Sequence, residues 1–236
     1  MKALLLAAGR GERLRPLTDV MPKCMVKILG RPLLDWWLDA LDRANIKDVL
    51  INLHYLPNAV ESYVEKSKYQ SNVSLIYEES LLGTAGTLIK NTSFFGEDDG
   101  MVIHADNFCL ANLSSFVDAH LKRPKNCEIT LMSFDTDNPS TCGMLELDGE
   151  GRVQNLHEKP TFSTSKLANG SVYITSAKAI EEISSLDPRP SDISTDILPL
   201  FIGRIFAYHN TIYHRDIGNA MSLAIAEEFA ANNLKA

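Results

Sequence analysis

Residues 3–8 read Ala-Leu-Leu-Leu-Ala-Ala, an apolar run without a break. A strand with one face in water alternates apolar and polar residues. An unbroken run needs cover on both faces, as in the central strand of a parallel sheet flanked by helices. The next fifteen or so residues narrow the choice further. Gly9 and Gly11 make a turn, and Arg13, Arg15 and Lys23 bring positive charge to it. Glycines let backbone N–H groups approach oxygens that a Cβ would block, and the cations suit the same guest, a polyphosphate.

The rest of the chain alternates in the same way. Apolar residues at 34, 37, 38, 41 and 44 form a helical stripe, and Ala59–Tyr69 reads as a second helix. Strands are expected at Asp48–Leu53, Ser74–Tyr77, Met101–His104 and Ile129–Phe134, with a helix over Ser114–Lys122. Shorter strands are expected at Gly143–Leu147, Arg152–His157, Ser171–Thr175, Ile205–Tyr208 and Ile212–His214. Helices are expected at Ser176–Ser185, Asp192–Phe201 and Asn219–Asn233. The pattern predicts one α/β domain over residues 1–236: a βαβ-like front half (1–134), a rear part with added antiparallel strands (135–218), and a closing helical segment (219–236).

Two familiar phosphate loops are excluded. The dinucleotide fingerprint needs a third glycine where Leu14 stands, and no Gly-Lys-Ser/Thr comes after the turn. A net charge of −7 argues against a nucleic-acid partner, which would call for a basic face. No apolar run is long enough to span a membrane, so no membrane partner is expected. The four cysteines (24, 109, 127 and 142) form no zinc pattern and read as reduced thiols of a cytoplasmic protein.

The full string Leu-Ala-Ala-Gly-x-Gly-x-Arg-Leu-x-Pro-Leu-Thr, with Pro22-Lys23 after it, resembles the signature of sugar-1-phosphate nucleotidyltransferases. The resemblance continues in order along the chain, through Leu82-Gly83-Thr84-Ala85-Gly86, Asp106, Gly143, Glu158-Lys159-Pro160, Asn169 and Asp216-Ile217-Gly218. It implies a single-domain, Rossmann-like three-layer α/β/α fold of the GT-A type with a mixed, mostly parallel sheet. It also implies the reaction of an NTP with a sugar 1-phosphate to give NDP-sugar and pyrophosphate. The chain resembles the short form of the family, without the C-terminal β-helix, and is expected to be a monomer or homodimer.

Residue by residue, the resemblance implies that Ala7, Ala8, Gly9, Gly11, Glu79, Gly83 and Thr84 bind the nucleotide. Asp106 and Asp216 would hold Mg²⁺. Gly143, Glu158, Lys159 and Asn169 would take the sugar phosphate, and Arg13, Lys23, Asp106 and Lys159 would carry catalysis. The residues alone offer plainer roles: Thr84 as a helix cap, Asp106 as a turn former, Glu158-Lys159 as a solvated strand end. His104 and His214 each stand two residues before an aspartate, where a continuing strand would put the pair on one face.

The chain departs from the family pattern at Ala105 (usually Gly), Cys24 (usually Pro or Ala), Glu12 (usually Thr), Asn219 (commonly Thr) and Gly170 (one residue early). Substrate signals conflict. Gly-Glu-Arg resembles uridylyltransferases acting on N-acetylmuramate 1-phosphate, Leu-Gly-Thr-Ala-Gly resembles mannose-1-phosphate guanylyltransferases, and Ala7-Ala8-Gly9 leans toward a pyrimidine. Three alternatives stand beside this reading. They are a cytidylyltransferase for a non-sugar phosphate such as phosphocholine, a non-catalytic nucleotide-sugar binding module, and a glycosyltransferase built on Asp135-x-Asp137.

Overall fold

The unbroken apolar run forms strand β1 (Lys2–Leu6), in which Ala3, Leu4 and Leu5 have no exposed surface. The computed structural model describes residues 1–162, 165–187 and 189–234. Along the chain, β1 is followed by β2 (Lys27–Ile28), β3 (Arg31–Pro32), α1 (Leu33–Arg43), β4 (Val49–Leu53), α2 (Pro57–Lys66) and β5 (Val73–Tyr77). Next come α3 (Gly83–Lys90), α4 (Thr92–Phe95), β6 (Gly100–His104), β7 (Asn107–Cys109), α5 (Leu113–Leu121) and β8 (Ile129–Asp135). The rear part contains β9 (Gly143–Leu147), β10 (Val153–Glu158), β11 (Leu167–Thr175), α6 (Ala177–Ser184), β12 (Ile205–His209), β13 (His214–Asp216) and α7 (Ala220–Asn233). The fold is α/β with a mixed central sheet, as the alternation of strand and helix signals predicts.

The described residues form two compact units. The first comprises Met1–Leu4, Leu82–Ile103 and Ala111–Ile212. Its strand order is β10–β9–β11–β6–β1, with β8 lying between β11 and β12. Strand β11 pairs antiparallel with β6, β8 and β9, whereas β12 runs parallel to β8. The second unit comprises Leu5–Leu81, His104–Leu110 and the chain from Tyr213 onward. Here the order is β1–β4–β5, with β4 and β5 parallel, and two ribbons, β2–β3 and β7–β13, stand apart from the main sheet. The apolar stripe of α1 is buried at Leu34, Trp37, Leu38 and Leu41. Leu14, Val26, Ile28, Leu33, Phe108, Ile217, Ala226 and Ala230 form the core on which the turns after β1 rest.

Several expectations change. Strand β13 covers His214–Asp216 rather than Ile212–His214, because its register is set by β7, a strand the sequence pattern did not signal. Strand β6 ends at His104 and the chain turns at Ala105-Asp106, so His104 and Asp106 do not share a strand face. His214 and Asp216 do lie on one strand. The segment expected as a helix from Asp192 is a π-turn over Ile193–Ile197 and then a 3₁₀ stretch, Leu198–Phe201. Thr84 is not a cap: α3 begins one residue earlier, at Gly83, and Leu82 precedes it. The closing segment is helical over Ala220–Asn233, and residues 235 and 236 lie outside the described residues.

In the first unit a buried polar relay joins separate elements. His120 has no exposed surface; its Nδ1 lies 2.7 Å from the Thr130 hydroxyl and its Nε2 3.3 Å from Asp99 Oδ2. Asp99 Oδ1 also accepts from the Ala177 N–H at the start of α6. With Asp99 ionised, Nε2–H donates to it and Nδ1 accepts from Thr130, which is the neutral imidazole. Burial lowers the His120 pKa, and the hydrogen bond from His120 lowers that of Asp99. A histidine with a depressed folded pKa stabilises the fold fully above its unfolded value of about 6.5, and that contribution is lost as pH falls toward the folded value. The depressed Asp99 acts in the same sense below about pH 4. Urea midpoints should therefore fall as pH drops from 6.5, and His120→Gln should shrink that fall; an equal pH dependence in the variant would contradict the assignment.

Gly83 tests a backbone requirement. Its φ is +76°, and a Cβ would lie 2.1 Å from the Ser191 carbonyl oxygen, an immovable backbone atom. Gly83→Ala should cost roughly 2–4 kcal/mol in urea unfolding, from left-handed strain plus the clash.

Candidate active site

The turn after β1 is built from three 3₁₀ pieces, Glu12–Leu14, Leu17–Asp19 and Lys23–Met25. Leu14 anchors the first piece in the core, and the buried Thr18 hydroxyl donates to the Gly11 carbonyl at 2.8 Å. Gly11 takes φ +64°, and a Cβ there would lie 2.9 Å from Thr18 Cγ2 and 3.1 Å from Lys23 Cβ. That glycine therefore lets the turn close on the Lys23 stem. A Cβ on Gly9 would meet nothing within 4 Å.

Lys23 is 7% exposed. Its ammonium donates to Asp106 Oδ2 at 2.6 Å and to Asp216 Oδ1 at 3.1 Å. The two carboxylates come from distant parts of the sequence and meet through the β7–β13 ribbon, whose register sets Asp216 opposite Asn107. The Ile217 N–H extends this ribbon to the Asp106 carbonyl. Trp37 of α1 holds β7 by donating from Nε1 to the Asn107 carbonyl at 2.9 Å. Arg13 Nη2 stands 3.9 Å from Asp216 Oδ2. Gly218 makes room for this contact: a Cβ would lie 2.6 Å from Asp216 Oδ2 and 2.9 Å from Arg13 Nη2.

The electrostatics result from this geometry. Burial works against the Lys23 ammonium, but the Asp106 and Asp216 carboxylates outweigh it and hold its pKa above the ordinary lysine value. Burial likewise opposes the Asp106 carboxylate, and Lys23 and His104 outweigh it, so Asp106 titrates below the usual range. Burial pushes His214 down to about 3, leaving a neutral ring beside this charged cluster.

Two groups here were not anticipated from the sequence. Ala7 N–H donates to Asn52 Oδ1 at 2.8 Å, and Asn52 Nδ2 donates to Glu78 Oε1 at 3.2 Å. Glu78 is buried, whereas Glu79, expected to bind the nucleotide, is exposed. The signal was Asn52 itself, an amide in the otherwise apolar strand Val49–Leu53. Ala7 and Ala8 are buried against this unit's core.

The first unit gathers the other expected residues. A Cβ on Gly143 would lie 2.7 Å from Glu158 Oε2 and 3.6 Å from Asn169 Cβ, so these three residues surround one spot. Lys159 Nζ lies 3.7 Å from Glu158 Oε1, and its backbone takes φ +45°, a strained value for a side-chain-bearing residue. Asn169 is buried; it donates to the Tyr173 hydroxyl at 2.9 Å and to Ser194 Oγ at 3.3 Å and accepts from Ser171 N–H. The early glycine at 170 falls in an irregularity of β11, whose pairing with β8 shifts register between Asn169 and Tyr173. Thr84 of α3 bonds across to Asp192. The Asp135-x-Asp137 sequence ends β8 and enters a turn, with Asp135 3.5 Å from His209 Nε2.

Residues 2–233 match the family described as nucleotidyl transferase.

The chain belongs to the nucleotidyl transferase family.

Among its relatives is the mannose-1-phosphate guanyltransferase of Schizosaccharomyces pombe, 28% identical over 92% of this chain and 61% of that protein. The chain spans 54–61% of the length of the first curated relatives it matches. A Bacillus anthracis protein solved in complex with a sucrose shares the fold, with a TM-score of 0.88 over 100% of this chain and 97% of the other at 21% identity. HddC from Yersinia pseudotuberculosis, complexed with GMP-PN, superposes with a TM-score of 0.80 at 25% identity, covering 97% of this chain and 98% of that one.

One departure of this nucleotidyl transferase from the family pattern has a chemical consequence. Cys24 is 1% exposed, and burial together with the Asp106 carboxylate pushes its thiol up to about 12. A neutral buried thiol is unreactive. Native alkylation at pH 7.5 and subsequent mass spectrometry should label Cys142, the one cysteine with intermediate exposure among the four, and spare Cys24. Labelling of Cys24 ahead of Cys142 would contradict this packing.

Proposed function

We propose that this chain transfers a nucleotidyl group from an NTP to a sugar 1-phosphate, releasing pyrophosphate, with GTP and mannose 1-phosphate as its substrate pair. The observation that carries the reading is the clasp of one buried ammonium by two remote carboxylates, Lys23 between Asp106 and Asp216. The guanyltransferase names of the relatives and the GMP-PN in the HddC complex support the choice of base and sugar.

The chemical difficulty is charge. A sugar-phosphate oxygen must attack the α-phosphorus in line with departing pyrophosphate, and both partners are polyanions. The nucleophile is already ionised at neutral pH, so the protein supplies position and charge rather than a base. In this reading Lys23 steadies the α-phosphate, Arg13 and the 9–13 backbone hold the β- and γ-phosphates, and Lys159 holds the sugar phosphate. Gly143, Glu158 and Asn169 receive the sugar. The other nucleotide contacts fall to Ala7, Ala8, Glu79, Gly83 and Thr84.

Asp106 and Asp216 suit a hard divalent cation. They offer carboxylate oxygen and already hold a positive charge between them. No group of three or more acidic, histidine or cysteine side chains placed to hold a metal occurs among the described residues. A two-carboxylate site completed by substrate phosphate and water suits Mg²⁺. When bound, Mg²⁺ would neutralise charge on the reacting phosphates. Among the described residues no helix is long and apolar enough to cross a membrane.

The test is a pyrophosphate-release screen with Mg²⁺, pairing GTP, UTP, CTP and dTTP with mannose, glucose and N-acetylmuramate 1-phosphates and with phosphocholine. GTP with mannose 1-phosphate should turn over fastest. Lys23→Met should lower kcat by about 10²–10³, the scale of losing one electrostatic stabiliser. Turnover of phosphocholine alone would select the cytidylyltransferase reading. Nucleotide-sugar binding without pyrophosphate release from any pair would select the binding module.

A further inference from the structure

The segment 191–196 carries hydrogen bonds in two directions. Toward α3, the Ser191 carbonyl accepts from Ala85 N–H at 3.0 Å and packs against the bare Gly83 Cα. The Thr84 hydroxyl donates to Asp192 Oδ2 at 3.1 Å and accepts from Ile193 N–H at 2.8 Å. Toward β11, Ser194 Oγ accepts from Asn169 Nδ2 and lies 3.4 Å from the Tyr173 hydroxyl. Asp192 stands at the junction. While Oδ2 holds Thr84, Oδ1 accepts from Ser194 N–H at 2.8 Å and Thr195 N–H at 3.0 Å. Asp196 closes the segment by accepting from the Ser191 and Asp192 N–H groups at 2.8 and 3.0 Å, and these bonds lower its pKa to about 2. The intervening backbone is a π-turn, a costly local geometry that this double anchoring sustains.

We propose that Asp192 is a positioning residue shared by two recognition elements: through Thr84 it fixes the turn assigned to the nucleotide, and through Ser194 it fixes Asn169 among the residues assigned to the sugar phosphate. This inference rests on the function proposed above. One carboxylate then sets the geometry of both substrates' contacts without touching either, and a small displacement at recognition contacts is felt in binding.

The experiment is steady-state kinetics on the full chain with GTP and mannose 1-phosphate, alongside thermal unfolding. Asp192→Ala should raise both KM values together, each by roughly three- to tenfold, the scale of losing one ordinary net hydrogen bond. Thr84→Val should raise the GTP KM alone, and Ser194→Ala the mannose 1-phosphate KM alone. Asp192→Asn, which keeps an oxygen to cap Ser194 and Thr195, should restore the mannose 1-phosphate KM; it also serves if Asp192→Ala does not fold. A merely structural aspartate would lower Tm and the active fraction with both KM values unmoved, and that result overturns the inference. So does a change in one KM alone for Asp192→Ala. A wild type that releases no pyrophosphate overturns the proposed function and this inference with it, whereas an active wild type with unmoved variants overturns this inference alone.

Discussion

An ammonium group taken out of water is costly unless opposite charge meets it, and Lys23 is met twice. Asp106 and Asp216 hold it within hydrogen-bonding distance. That one clasp orders much of the second unit. It requires Gly11 so that the turn can close on the lysine stem, and the β7–β13 ribbon so that two distant aspartates can meet. The bare Cα of Gly218 adds room where Arg13 approaches Asp216. Carboxylates held close by a protein side chain form a ready place for another cation. Burial makes the Lys23 charge count for more, while Asp216 meets it from the exposed side.

The first unit answers a different demand, that of shape. Gly143, Glu158 and Asn169 share one spot, where the missing Cβ of Gly143 leaves the Glu158 carboxylate its place. Asn169 is held on three sides, by Tyr173, Ser194 and the Ser171 backbone, so it presents a fixed face. Lys159 keeps a strained backbone at the end of β10, where its N–H is bonded to the Cys142 carbonyl. Strain of this kind persists where the surroundings over-determine it.

Much of this was legible in the sequence because it obeys local rules. The unbroken run 3–8 gave β1, and the stripe 34, 37, 38 and 41 gave the buried face of α1. The glycine turn, Lys23, Asp106 and Asp216 were named as a set by the family resemblance rather than by any local rule. What stayed hidden was non-local. Strand β7 is three residues long and carries no period; only pairing with β13 makes it a strand. Asn52 and Glu78 bond across parallel strands β4 and β5 and their edge, a partnership that no spacing reveals. The resemblance assigns Gly83 to the nucleotide, and the structure adds a reason within the protein, the Ser191 carbonyl packed against it. The role of 191–196 depends on hydrogen bonds spanning about a hundred residues, so its helix-like pattern said nothing of it.

Asp106 and Asp216 are proposed to share one cation site that a nucleotide completes. Paramagnetic-resonance titration of Mn²⁺ into the protein with a non-hydrolysable GTP analogue tests this, with Mn²⁺ standing in for Mg²⁺. The account predicts that Asp106→Asn and Asp216→Asn each weaken nucleotide-dependent Mn²⁺ binding to a comparable degree, and that combining them adds little. Wild-type Mn²⁺ affinity in the double variant would contradict it.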